Sequence, residues 1–170
     1  MPLEIINRVA NSKLVTIDLE EFYPAGERIS FDIKDWLFEE HILKEKDFRT
    51  YVKEHNWSKY KDSFVALHCS SDAIVPSWAY LLITVNLSKY TNRIVIGNLE
   101  QIEIVLFTEI INKLDLSFFK DRLILVKGCS KKPIPETAYV QLIEKLMPVA
   151  SSIMYGEACS NVPLYKKPKL

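Results

Sequence analysis

The sequence predicts an α/β protein, with a mainly parallel sheet covered by helices on both faces and an N-terminal α+β addition. Three observations carry this reading. From Phe64 onward, short apolar, β-branched runs alternate with longer segments of helical period. Of only 4 glycines, Gly97, Gly128 and Gly156 fall at or just past the end of a proposed strand, where the chain turns. With 170 residues, 48% of them hydrophobic, the chain can bury a sizeable core as one domain. The expected organisation is therefore a single domain over residues 1–170, with 1–60 an irregular addition and 61–170 a β-α-β-α-β-α-β core.

The first elements are the least regular. A helix is expected over Leu3–Val9, then strands near Leu14–Asp18 and Arg28–Ile33, joined by EEFYPAGE with a turn at Pro24–Gly26. Alternation in ISFDI predicts a strand with one solvated face. Asp47–His55 reads as a short helix and NWSKYKDS as a polar connection. This region is expected to form an antiparallel or mixed addition to the main sheet.

The core strands are expected at Phe64–His68, Ile94–Ile96, Leu123–Val126 and Ser152–Tyr155. Between them, Pro76–Tyr90 carries Trp78, Leu81, Leu82 and Val85 at helical spacing, and Pro76 suits a first helical turn because its absent N–H is not needed there. Leu99–Leu114 and Pro135–Met147 repeat the helical pattern with Ile102, Leu106 and Ile110, and with Tyr139, Leu142 and Leu146. Strand-helix alternation of this kind builds a parallel sheet through right-handed crossovers. Trp36, Trp57 and Trp78 are expected as core or interface anchors.

Charge and composition narrow the function classes. The 22 basic residues equal the 22 acidic ones, which disfavours a general nucleic-acid binder. The balance is uneven along the chain: Asp18–Asp47 is acidic, whereas Lys120–Leu170 is basic and is the better partner for an anion. No apolar run approaches the ~20 residues that span a bilayer, and the opening has no export-signal pattern, so a cytoplasmic location and no membrane partner are expected. Three cysteines in such a chain argue for free thiols or metal ligands over a disulfide framework.

All three cysteines sit in Cys-Ser pairs, at Cys69, Cys129 and Cys159, each after a proposed strand. The segments HCSSDAIVPSWAYLLI and GCSKKPIPETAYVQLI match at Cys-Ser, Ile, Pro, Ala-Tyr and a final Ile once one residue is skipped, and CSNVPLYKKP repeats part of the pattern. Ligands of open α/β sheets bind outside the carboxyl ends of the strands, where loops and helix N-termini meet. If the strands share one sheet, Cys69, Cys129 and Cys159 converge on one rim, and a thiophilic cation relieves their mutual repulsion. Zinc or an iron–sulfur cluster is the expected cofactor, with Asp72 a candidate fourth ligand and His68 a weaker one. Ser70, Ser130, Lys131, Lys132, Lys166 and Lys167 are the candidate binding groups for a small anionic ligand beside the thiols. Two alternatives stand beside this reading: metal-free thiol or persulfide chemistry, and a non-enzymatic interaction module in which the cysteines are small buried hydrophobes. Homo-oligomers are compatible with either.

The chain carries no Gly-rich phosphate loop, GxGxxG, HExxH or nucleophile elbow, which disfavours the reactions those motifs serve. The combination IINRVANSKLVTIDLE, FDIKDWLFE, LKEKDFR, HCSSDAIVPSWAY, KGCSKKPIP and GEACSNVPLYKKPK resembles a bacterial family known as domain of unknown function 2480, over essentially the whole chain. The resemblance implies a small soluble cytoplasmic protein and brings no activity or catalytic residues with it.

Overall fold

The β-branched and apolar runs become strands, and the segments of helical period become helices. The computed structural model describes residues 14–128 and 130–168. In chain order it contains β1 (Leu14–Ile17), β2 (Arg28–Asp32), α1 (Glu45–Glu54), β3 (Phe64–His68), α2 (Ser77–Leu87), β4 (Arg93–Ile96), α3 (Leu99–Lys113), β5 (Leu123–Lys127), α4 (Glu136–Leu146), β6 (Ser152–Glu157) and β7 (Ser160–Lys166). This is an α/β fold with mostly parallel strands. The helix expected at Leu3–Val9 lies outside the described residues, as does Cys129.

The expected single sheet is corrected to two. One sheet has the order β1-β5-β6-β7 and the other β2-β3-β4. β1 and β2, expected as an antiparallel or mixed addition, instead pair in parallel with β5 and β3. A buried strand's apolar run encodes burial on both faces but not the identity of its neighbour, so the partition into two sheets leaves no trace in the pattern. The chain divides into two compact units accordingly: a continuous unit, Ala25–Val105, and a split unit made of Met1–Pro24 and Leu106–Leu170.

The two units are built on one plan. Asn56 caps the 3-10 turn Trp57–Tyr60 by accepting from Ser58 N, and Asp115, two residues before the turn Ser117–Phe119, accepts from Ser117 N. Next come Asp62 and Asp121, both with positive φ (58° and 56°). Their N–H groups donate to Tyr90 O at 2.9 Å and to Val149 O at 2.8 Å, which ties each strand entry to the turn after the following helix. Pro76 and Pro135 precede α2 and α4. Ala79, Ile83 and Leu87 form the buried stripe of α2, as Ala138, Leu142 and Leu146 form that of α4. Gly97 and Gly156 close the plan with φ of 140° and 130°.

This spacing corrects the reading of the cysteine echo. His68 and Lys127 end equivalent strands, and the loops to Pro76 and Pro135 are equally long. Cys69 follows its strand directly, whereas Gly128 stands between Lys127 and Cys129. The Cys-Ser pairs are therefore one position out of structural register, and the residue skipped in the sequence match is not a deletion. The third copy is not in a strand-to-helix loop at all, because Cys159 sits in the tight turn joining β6 to β7.

Each unit has its own core. In the split unit, Val15, Ile17, Ile124, Val126 and Ile153 pack with Phe107, Phe119 and the α4 stripe. In the continuous unit, Phe31, Val65 and Leu67 pack with Phe48, Trp57 and the α2 stripe, with Trp36 and Trp78 packed against them. The tryptophans are core anchors, as expected, and Phe31 and Trp57 stack with their rings 6.0 Å apart. Fully burying a large apolar side chain contributes about 1.5–3 kcal/mol, so these clusters supply the main force for folding. The first half of α3 starts with a reciprocal cap, Asn98 N to Gln101 Oε1 at 2.7 Å and Gln101 N to Asn98 Oδ1 at 3.0 Å. It also brings the buried Glu103 to Arg28, whose Nε lies 2.7 Å from the carboxylate.

Gly156 is closed in by backbone. A Cβ there would lie 2.6 Å from Ser160 O, on a backbone with φ of 130°. Gly156→Ala is therefore expected to destabilise the protein by about 2 kcal/mol, measured by denaturant unfolding, whereas an exposed substitution such as Val140→Ala changes little.

Candidate functional site

In a parallel sheet all strands end on the same side, and the loops there carry N–H groups that the sheet does not use. Each unit meets this demand with carboxylates that follow its first strand. In the continuous unit Asp32 lies opposite His68 in the β2–β3 register. Its carboxylate accepts from Lys34 N at 2.9 Å, Ser70 N at 3.0 Å and Ser70 Oγ at 2.5 Å. Beside it, His68 Nε2 and Ser30 Oγ are 2.7 Å apart, and Cys69 Sγ is 3.3 Å from Ser71 Oγ. Partial burial pushes the Asp32 carboxyl up, but the hydrogen bonds from Ser70 and Lys34 and the nearby His68 outweigh it, so its pKa is lowered. Tyr80 is raised, first by burial and then by Cys69 and Asp32.

In the split unit the same task is divided between two acids. Asp18 accepts from Glu20 N at 2.9 Å and from Lys127 Nζ at 2.9 Å. The Asp18 carboxylate holds the Lys127 ammonium above the usual lysine range. One oxygen of Glu20, Oε1, accepts from two successive backbone groups, Lys131 N at 2.7 Å and Lys132 N at 2.9 Å. Ser130 Oγ donates to Lys132 O at 2.8 Å, and Lys132 Nζ stands 5.2 Å from the centre of the Tyr23 ring. Behind the loop, Tyr155 OH donates to Gly128 O at 3.4 Å, and the rings of Tyr139 and Tyr155 meet edge to face at 5.7 Å. Burial pushes Tyr139 up to about 12, with smaller contributions from Tyr155, Asp18, Glu136 and Glu20, so it is protonated at neutral pH.

The residues expected at one site are distributed as follows. Cys69, Ser70 and Asp72 belong to the loop after β3 in the continuous unit; Cys69 is half-buried and Asp72 exposed. Ser130, Lys131 and Lys132 belong to the loop after β5 in the split unit. Cys159 is exposed in the β6–β7 turn, at the same end of that sheet, since Lys127 lies opposite Gly156. Lys166 and Lys167 lie at the other end: β7 runs back antiparallel, Lys166 opposes Ser152, and Lys167 Nζ is 3.2 Å from Asp121. The single rim that was to gather the thiols is thus replaced by two, with Cys69 and Cys159 on different sheets. Among the described residues no group of three or more His, Cys, Asp or Glu side chains is placed to hold a metal.

Asp18, Glu20, Asp32 and Lys127 were not among the expected site residues. Their signal is present in the sequence as IDLE and FDIK, an acid between apolar residues at the end of each first strand. A chain belonging to a characterised family would bring roles for these positions. The family model described as a protein of unknown function, DUF2480, matches residues 3–167. The chain belongs to the DUF2480 family. No curated protein and no solved structure matches it, so the roles of this DUF2480 chain rest on its own geometry. No helix among its described residues is long and apolar enough to cross a membrane.

Asp32 gives a pH test of the latch. A group whose folded pKa is depressed stabilises the fold above its unfolded pKa, about 3.8 for an aspartate, and loses that contribution as pH falls through the folded value. The stability difference between wild type and Asp32→Asn is therefore expected to be largest at neutral pH and to shrink as pH drops below that value, measured by denaturant unfolding across the acid range. A difference that stays constant with pH would show that the carboxylate does not titrate in the latch.

Proposed function

We propose that this DUF2480 chain binds a small anion at the loop after β5, with Glu20 as a built-in competitor. The observation that carries the reading is the convergence of Lys131 N and Lys132 N on one oxygen of Glu20, at 2.7 and 2.9 Å. Successive N–H groups aimed at one oxygen form a concave anion site, and here a carboxylate of the chain itself fills it. The loop lies at the carboxyl end of a parallel strand, the usual ligand position in open α/β sheets. The lysine side chains add positive charge that a single glutamate does not neutralise.

The continuous unit supports the choice of loop by contrast. There Asp32 stands level with Asp18, Lys34 stands where the split unit has Glu20, and Asp72 and Ala73 stand where it has Lys131 and Lys132. That loop carries an acid of its own and disfavours a second anion, so its carboxylate latch is structural. A phosphate or carboxylate ligand on the split unit would replace Glu20, gain the same N–H groups and add contact with the lysine ammonium groups. Ser130 shapes the turn through its bond to Lys132 O and need not touch the ligand.

Titration with inorganic phosphate, followed by the amide resonances of Lys131 and Lys132, tests this. Wild type is expected to bind weakly, and Glu20→Ala at least about ten-fold more tightly, equivalent to ~1.4 kcal/mol. Glu20→Gln, which keeps the shape and removes the charge, is expected to fall between them. Resonance changes elsewhere only, or no gain in either variant, would overturn the proposal and leave Glu20 as a loop cap.

A further inference from the structure

The two units share a plan but end it differently, and the difference exposes an edge. In the split unit, β6 follows the middle strand β5, and its outer edge is covered by antiparallel β7 from Ser152↔Lys166 to Glu157↔Ser160. In the continuous unit β4 holds the equivalent place at the end of the order β2-β3-β4, and no strand pairs with its outer edge among the described residues. Ile96 is 60% exposed there.

The backbone of β4 is set to accept a strand. Gly97 N donates inward to Leu67 O at 3.0 Å, so by alternation the N–H and C=O groups of Ile94 and Ile96 point away from β3. An open edge is usually shielded by Pro, Lys, a bulge or extreme shortness. β7, the outermost strand of the other sheet, has Pro163, Lys166 and a register shift between Ile153 and Met154. β4, Arg-Ile-Val-Ile, is short at 4 residues and is charged only at Arg93, but it has no proline or lysine and its pairing to β3 runs without a register shift.

We propose that β4 pairs antiparallel with β4 of a second copy of this chain, joining two three-stranded sheets across a two-fold axis. The edge is self-complementary. With the axis through Val95, Ile94 of one copy faces Ile96 of the other, and these are the residues whose N–H and C=O groups point outward. Each such pair exchanges hydrogen bonds in both directions. Val95 faces Val95 in the intervening pair, and Arg93 faces Gly97, so no like charges are opposed. Opposed residues lie on one face of the joined sheet, and Ile94 already packs against the continuous unit's core on that face, which Ile96 of the second copy extends. A two-fold contact of this kind closes on itself and does not propagate. The inference is independent of anion binding, which concerns the other unit.

Sedimentation equilibrium over a wide concentration range tests it, together with amide hydrogen exchange. Wild type is expected to reach twice the monomer mass as concentration rises, with the amides of Ile94 and Ile96 gaining protection while that of Gly97, already bonded to β3, does not. Ile96→Lys, at a position exposed in the monomer, is expected to weaken the dimer at least about ten-fold, and Leu164→Lys on β7 to leave it unchanged. A monomer at every concentration would sink the idea. So would a dimer that Ile96→Lys leaves intact, one that Leu164→Lys disrupts equally, or one that forms without protecting Ile94 and Ile96, a readout that needs no variant to fold.

Discussion

A carboxylate at or just past the end of the first strand of each sheet holds the loop that follows the neighbouring parallel strand, and the geometry of both strand-end rims depends on it. Parallel strands all end on one side of the sheet, and the loops that leave them there present backbone N–H groups that no neighbouring strand accepts. Asp32 answers with three hydrogen bonds in the continuous unit. The split unit uses Asp18 for the strand end and Lys127, and Glu20 for the loop. Each bond to a charged acceptor contributes more than a neutral one, about 1.5–3 kcal/mol when well made and sheltered, with less expected at exposed positions. The same demand for an acceptor that folds the loop underlies the proposed anion site, so the structural bonds and the proposed site rest on one electrostatic fact.

The elements were legible because their signals are local. Apolar runs bounded by turn residues marked β3, β4, β5 and β6 to within a residue or two, and Pro76 and Pro135 marked the starts of α2 and α4. Even the strands of the N-terminal part lay where Leu14–Asp18 and ISFDI suggested. β7 was not legible: CSNVPLYKKP entered only as a partial repeat of the Cys-Ser pattern, because a strand exposed along nearly its whole length and carrying Pro163 lacks the alternation that identifies a strand. Strand partners were equally hidden. Nothing in Phe64–His68 says that it joins β2 and β4 and not β5, since pairing is decided by the paths of the crossovers.

The site was legible in part, and the error had a specific origin. The three Cys-Ser pairs drew attention to the correct ends of the strands, but they implied a common rim only while the strands were taken as one sheet. The structural equivalence of His68 with Lys127, and of Pro76 with Pro135, shows that the shared dipeptide is not the shared position. The acids that hold the loops were overlooked because Asp18, Glu20 and Asp32 look like ordinary solvated charges in a strongly acidic segment. Their role depends on contacts with residues far along the chain, such as Lys127 and Lys131, and those contacts exist only once β1 has found β5.

The duplicated plan also explains why one edge is covered and the other is not. After β6 the chain has only to turn at Ala158–Cys159 and return, and a hairpin is the shortest way to satisfy that edge. After β4 it must go on to β5, which pairs with β1 in the other sheet. Gly97, with nearly the same φ as Gly156, therefore leads into the capped start of α3 instead of a returning strand. A hairpin at that point would require a further strand before α3, between two residues that now abut the turn and the helix cap. The connection that links the two units thus carries the chain away from β4 and leaves its outer edge without a strand partner among the described residues.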